Sequence, residues 1–245
     1  MFLAFDIGNS QIKAGLFSGN KIVKSFIFRD LVKVKSLYSN RDIAFTGISS
    51  VVPAKSDQLK KFLNLQSYAY YQITKNSKFN LKLLYKTPET LGIDRICSAE
   101  GAFYLNNKMN RNQTIISIDF GTATTMNVIS YPGRFIGGVI APGIKLMSES
   151  LHFNTAQLPI ITIRDFHGDI GMTTKESIAS GIVNSTIGMI ERIVDYVKVK
   201  YKSKKIKIFL TGGNAEHIIP YFNFEFIFEK NLVLFGIKNI TDLNS

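Results

Sequence analysis

A chain of 245 residues that is 45% hydrophobic and 12% aromatic can bury a substantial core, either as one large domain or as two of about 120 residues each. Its single cysteine, Cys97, excludes an intrachain disulfide and a multi-cysteine metal site, which suits a reducing cytosol, and no apolar run approaches the ~20 residues of a membrane span. The formal net charge of +12 raises the question of nucleic acid, since Lys198, Lys200, Lys202, Lys204, Lys205 and Lys207 fall together; but lysines recur along the whole chain, and charge of this kind speaks to solubility and anionic ligands rather than to a dedicated nucleic-acid face.

The chain begins on an apolar run, Phe2-Leu3-Ala4-Phe5, without the basic start and cleavage region of a signal peptide, so a cytoplasmic protein is expected. The run ends in Asp6-Ile7-Gly8-Asn9-Ser10: a buried strand that delivers one carboxylate, then a glycine, then small amide and hydroxyl side chains. A carboxylate at a strand end can hold a cation directly or through water. The glycine lets backbone approach a ligand, and the N–H and OH groups after it can donate to phosphate oxygens. Gln11 to Phe17 continues as a strand, Ser18-Gly19-Asn20 reads as a hairpin turn, and Lys21 to Phe28 alternates partly in period two. Asp42 to Val52 reads as a buried strand, Ser56 to Leu65 as a helix with Leu59, Phe62 and Leu63 on its apolar face, and Ala69 to Ile73 as a further strand. That order predicts a mixed sheet with helices packed on it. Asp94 follows Gly92 and precedes a helical stretch from Arg95 to Tyr104, the place of an N-cap aspartate. Arg95 could be a surface arginine in the first turn, but the helix dipole slightly disfavours a cation there, so its placement leans toward a functional role.

The second half echoes the first. Ile115-Ile116-Ser117-Ile118 ends in Asp119-Phe120-Gly121-Thr122-Ala123-Thr124-Thr125, again a strand, a carboxylate, a glycine and small hydroxyls. Thr125 to Ser130 follows as a strand, Tyr131-Pro132-Gly133 as a turn, and Arg134 to Ile140 as a strand leading through Gly137-Gly138 into Ala141-Pro142-Gly143. Two such acidic turns facing each other would clamp a metal and a phosphate chain. Gly143 to Leu151 reads as a helix; a longer one runs from Lys175 to about Lys200, with Ile178, Ile182, Met189, Ile190, Ile193 and Val197 near helical spacing and a capping box from Thr173 and Glu176. Lys207 to Leu210 is a last core strand, ending in Thr211-Gly212-Gly213-Asn214. Taken alone the glycine pair is a tight strand-to-helix turn; after two phosphate-type turns it reads as close backbone approach to a nucleotide base or ribose. His152, His167 and His217 share no ligand spacing and read as satisfied or exposed histidines.

Together these stretches resemble the two phosphate motifs and the adenosine motif of the actin-like ATPase and sugar-kinase superfamily, and within it the type III pantothenate kinases. The resemblance is carried by Asp6 to Lys13, Thr87 to Arg95, Asp119 to Thr125, Gly137 to Gly143 and Thr211 to Gly213, in the family's order and over nearly the full length. Leu91-Gly92-Ile93-Asp94-Arg95 narrows the superfamily to this family, and Ser10 stands where threonine is commoner there, keeping the hydroxyl. The resemblance implies an α/β fold of two duplicated ribonuclease H-like (actin-like) subdomains, 1–112 and 113–245, each a mixed β-sheet with packed helices. It implies phosphorylation of pantothenate by ATP, with Asp94 as general base and Arg95 as the anchor of the pantothenate carboxylate. Tyr85, Gly92, Ile93 and Thr174 would complete the substrate pocket. The nucleotide would lie along Asp6, Ile7, Gly8, Asn9, Ser10, Gln11, Ile12 and Lys13, with Thr122 as a phosphate donor and Gly212 and Gly213 at the base or ribose. Asp6 would hold Mg²⁺ through water, and Asp119 a monovalent cation, K⁺ or NH₄⁺. The resemblance also implies a homodimer, with the helix from Lys175 to Lys200 as its expected contact; no specific nucleic acid and no membrane is expected as a partner. Two alternatives stay open at this level. One is another kinase of the superfamily, with a sugar or carboxylate substrate; the other is a non-enzymatic nucleotide-binding or regulatory protein, which the charge alone supports.

Overall fold

The structure, a computed structural model, describes residues 1–39, 41–109, 113–201 and 206–245, so Lys202, Lys204 and Lys205 of the lysine run lie outside the described residues. The chain forms two compact units: Met1–Asn112 with Tyr131–Gly137 and Asn231–Ser245, and Gln113–Ser130 with Gly138–Lys230.

The first unit is built on a five-stranded sheet of order β3-β2-β1-β4-β5. Its strands are β1 (Phe2–Ile7), β2 (Ile12–Ser18), β3 (Lys21–Phe28), β4 (Phe45–Ser50) and β5 (Tyr70–Gln72). β1 is the central strand; every residue in it except Asp6 is buried, which is why it reads as an unbroken apolar run rather than an alternating one. β1, β2 and β3 form an antiparallel meander, closed by a two-residue loop in which Gly19 has φ +57, the left-handed conformation such hairpins need. β4 runs parallel to β1, and β5 returns parallel to β4 after helix α1 (Pro53–Leu65), whose Leu59 and Leu63 are buried one turn apart.

Helix α2 (Ile93–Lys108) carries the expected substrate residues and packs in the same unit against the C-terminal helix α6 (Leu232–Asp242); α3 (Ile144–Phe153), α4 (Thr174–Lys200) and α5 (Ala215–Ile218) belong to the other unit. Two glycines let these backbones touch: a Cβ on Gly101 would strike the Leu232 carbonyl oxygen, and one on Gly236 the Cys97 carbonyl oxygen. Residues 231–245 therefore belong with the first unit, whereas the expected subdomain boundary carried the second subdomain through to residue 245. Strand β6 (Lys82–Leu83) pairs in parallel with Arg134 and Phe135.

The second unit repeats the plan. β7 (Thr114–Phe120) is antiparallel to β8 (Ala123–Ser130) on one side and parallel to β10 (Ile206–Thr211) on the other, as β1 is to β2 and β4. β9 (Arg134–Pro142) and the short β11 (Ile227–Phe228) belong to the same sheet, β11 lying parallel beside β10. α4 buries Ile178, Ile182, Ile190, Val194 and Val197. Its N-cap is Thr173, whose Oγ1 accepts from Glu176 N–H at 3.2 Å; the return bond of the expected capping box runs one residue earlier, from Met172 N–H to Glu176 Oε2 at 2.8 Å. No helix among the described residues is long and apolar enough to cross a membrane.

Candidate active site

The repeat places its two aspartates alike: Asp6 and Asp119 are each the penultimate residue of a central strand, half-buried where their strand neighbours are buried. Beyond Asp6 the chain turns back on itself, Gly8 N–H donating to the Gln11 carbonyl at 3.0 Å. Ile7 and Ile12 are fully buried and anchor the turn, so only their backbone faces outward chemistry, while Asn9, Ser10 and Gln11 are exposed. Lys13 is the direct cross-strand partner of Asp6, on the same face of the sheet.

Ser49 of β4 is the other register partner of Asp6, and it leads to α2. The thiol of Cys97, wholly buried, is pushed well above the usual cysteine range, first by burial and then by the negative charges of Asp6, Asp94 and Glu100; the nearby Ser49 hydroxyl opposes the rise. That environment leaves Cys97 inert as a nucleophile. α2 packs against β4, whose Ser49 is paired with Asp6, so the first acidic turn and α2 are built on one sheet within one unit.

At the start of α2 the structure departs from expectation. Gly92, not Asp94, is the N-cap, and Asp94 sits two residues into the helix, its Oδ1 accepting from Arg95 N–H at 2.8 Å. A Cβ on residue 92 would collide with that oxygen, so a glycine is what lets the carboxylate fold back over the helix end. Nor is Arg95 a surface residue. It is 5% exposed, with its guanidinium carbon 5.8 Å from the ring centroids of both Tyr85 and Phe135, themselves 6.0 Å apart and inclined at 70°. Sequence reasoning missed Phe135. It reaches the site because Leu84 N–H donates to the Phe135 carbonyl at 2.8 Å, a pairing carried by a two-residue strand that leaves no periodic signal. Tyr85, Gly92, Ile93, Asp94 and Arg95 are hence brought together in the first unit. Thr174 belongs to the second, exposed as the first residue of α4 behind the cap.

In the second unit three turns meet at Asp119. Gly121 N–H donates to the Ala123 carbonyl at 3.2 Å and Gly143 N–H to the Thr122 carbonyl at 3.0 Å. Asn214 binds the turn twice, through N–H to the Phe120 carbonyl at 3.1 Å and Nδ2 to the Gly121 carbonyl at 3.4 Å. Gly212, with φ +101, passes so near that a Cβ would lie 2.6 Å from Asp119 Oδ1. Thr122 and Gly213 remain exposed, and nothing lies within 4 Å of a Cβ built on Gly213. Gly143 and Asn214 thus brace the Asp119 turn through main-chain and side-chain hydrogen bonds.

Among the described residues no three His, Cys, Asp or Glu side chains gather into a metal cage. A divalent ion would instead rest on one carboxylate, water and a ligand's own phosphates, the manner in which Mg²⁺ binds; half-buried Asp6 at the mouth of an exposed polar turn fits that. The Asp119 turn, with its carboxylate and main-chain oxygens, offers the hard oxygen donors that suit a monovalent cation. His152 is satisfied, its Nδ1 lying 2.7 Å from the Leu158 carbonyl.

A family model described as type III pantothenate kinase matches residues 2–196. A type III pantothenate kinase of Persephonella marina is 33% identical over 258 aligned positions, covering 98% of this chain and 98% of that protein. Among solved structures, a Campylobacter jejuni chain named for the Baf family of transcriptional activators aligns at a TM-score of 0.61 with 22% identity, covering 99% and 98% of the two chains. A ROK hexokinase from Thermus thermophilus aligns at 0.52 with 9% identity, covering 98% and 97%. Identities this low speak to the fold alone, which is that of the actin-like ATPases and sugar kinases. The family match, the full-length relative and the Leu91 to Arg95 turn with its buried arginine agree, and this chain belongs to the type III pantothenate kinase family.

Proposed function

We propose that this chain transfers the γ-phosphoryl group of ATP to the hydroxyl of pantothenate, giving 4'-phosphopantothenate, the opening step of coenzyme A biosynthesis. The observation that carries the reading is the pair at the start of α2: a half-buried Asp94 carboxylate next to an Arg95 guanidinium that is buried beside two aromatic rings. Arg95 pairs with the pantothenate carboxylate in a bidentate fork, and Tyr85 and Phe135 hold the plane of that fork. Asp94 takes the proton as the hydroxyl oxygen bonds to the γ-phosphorus and the bond to the β–γ bridging oxygen breaks, releasing ADP. Such a transfer depends mostly on in-line positioning and charge neutralisation, with a base contributing a smaller share.

The nucleotide phosphates are assigned to the Asn9 to Lys13 stretch and to Thr122, and the base or ribose to Gly212 and Gly213. Mg²⁺ on Asp6 through water, and K⁺ or NH₄⁺ on Asp119, would neutralise charge on the triphosphate. We also propose a homodimer. The apolar face of α4, the contact expected from sequence, is already buried within the chain, whereas Ile170 and Met172, 85% and 88% exposed on the loop leading into Thr174, are apolar residues left for a second copy to cover. A cytoplasmic location accompanies this reading, since ATP and coenzyme A precursors are found there.

The deciding experiment is ADP release with pantothenate against a panel of sugars, in wild type and Asp94→Asn. Turnover should require pantothenate and Mg²⁺ and fall at least about 10²-fold in Asp94→Asn, with ATP binding retained. Absence of turnover with pantothenate would sink the proposal.

A further inference from the structure

The acidic turn after β1 is held from behind by a lysine that lies outside every motif quoted above. Lys55 of α1 brings its Nζ to 3.3 Å from the Asn9 carbonyl oxygen and 3.5 Å from that of Gly8. Its place is electrostatically unusual. It is the third residue of α1, inside the first turn, where a cation opposes the helix dipole. It is also half-buried, and the ion pair on that helix joins other residues, Lys60 and Asp57. Two backbone oxygens, rather than a carboxylate, are what this ammonium faces.

Those two oxygens belong to consecutive peptide groups. The Gly8 carbonyl shares its peptide with Asn9 N–H, and the Asn9 carbonyl shares its own with Ser10 N–H. A cation on the oxygen end of a peptide draws electron density toward itself and leaves the N–H end more positive, the polarisation that makes chained hydrogen bonds cooperative. The groups so strengthened sit on the exposed part of the turn, beside the Ser10 hydroxyl.

We infer that Lys55 is a positioning residue of the nucleotide turn: it fixes the Gly8 to Ser10 backbone and sharpens the Asn9 and Ser10 N–H groups as donors to the phosphate oxygens of ATP, without touching the nucleotide itself. The inference rests on reading the stretch from Gly8 to Lys13 as the phosphate-facing one. It accounts for a cation kept against a helix dipole, and it separates Lys55 from Lys13, which lies across from Asp6 on the neighbouring strand.

The test is steady-state kinetics on the full chain, with calorimetric binding of ATP, ADP and AMP, for wild type, Lys55→Met, Lys55→Gln, Lys55→Arg, Ser10→Ala and Asp6→Asn. Lys55→Met and Lys55→Gln should raise the KM for ATP about tenfold, the scale of losing hydrogen bonds to a charged group. The KM for pantothenate should stay within about twofold. Binding of ATP and ADP should weaken while AMP changes little, and Lys55→Arg should restore most of the loss. An unchanged ATP KM in both neutral variants, a parallel rise for both substrates, or an equal loss of AMP affinity would overturn the inference. If Ser10→Ala and Asp6→Asn weaken ATP binding while the Lys55 variants do not, Lys55 is refuted and the turn's assignment stands. If none of the five variants changes ATP binding, the assignment of the turn fails and the role of Lys55 with it.

Discussion

Arg95 sits where two demands coincide, a planar guanidinium beside two aromatic rings and a position 5% exposed. Lysine satisfies neither, being a compact point charge that cannot stack or fork. Arg95→Lys should therefore raise the KM for pantothenate by about tenfold or more while leaving that for ATP near wild type, which initial-rate measurements with each substrate varied in turn would show. Five residues along the same helix, Glu100 is buried with no cation among the causes that shift its carboxyl; it accepts from Leu81 N–H at 2.9 Å and from the Nδ2 atoms of Asn80 and Asn239, each at 3.2 Å. Burial raises its pKa above the ordinary carboxylate value, and those hydrogen bonds offset part of the rise. The folded state then binds the proton more tightly than the unfolded chain. Stability must fall as pH climbs from the ordinary carboxylate range through the elevated folded value, and it is unaffected below both. Urea midpoints across that window should decline in wild type and stay flatter in Glu100→Gln; identical slopes would show that Glu100 is not the group responsible.

At the level of elements, α2 and α6 cross with backbone against backbone, and the glycines that permit it tolerate nothing larger. Gly236→Ala should cost roughly 1–3 kcal/mol, the usual penalty of overpacking, as read by equilibrium urea unfolding. This crossing also marks the limit of what the sequence disclosed. The central strands were legible because an apolar run ending in aspartate and glycine has one natural reading, and α1 and α4 because Leu59 and Leu63, or Ile178 and Ile182, recur at helical spacing. The C-terminal helix was not read, and its residues were expected in the second subdomain, since apolar residues specify burial but not a partner. The same holds for the site. Asp94 and Arg95 could be named in order, yet not their settings: the cap is Gly92, and Arg95 is buried beside two aromatic rings. Phe135 enters through a pairing of two residues, and local patterns cannot carry that.

For the whole molecule, a basic chain with exposed Ile170 and Met172 should assemble as a dimer through the region before α4. Light scattering should return twice the 27.5 kDa chain mass, and Ile170→Asp with Met172→Asp should halve it; a wild-type mass of one chain would refute the dimer. The crossing of α2 and α6 has a further consequence, in the order of synthesis. The helix bearing Asp94 and Arg95 is made before the chain is half complete, but the surface it packs against is made last, in Leu232–Asp242. Residues 113–230 lie between them, most of them in a unit whose strands and helices are contiguous enough to fold as they emerge. On the ribosome the second unit can therefore close before the first, and the substrate helix keeps an uncovered apolar flank until translation has passed Asp242. A chain cut short by even its last fifteen residues would leave that flank exposed for good, so truncated products should forfeit the proposed pantothenate site before they forfeit the Asp119 turn.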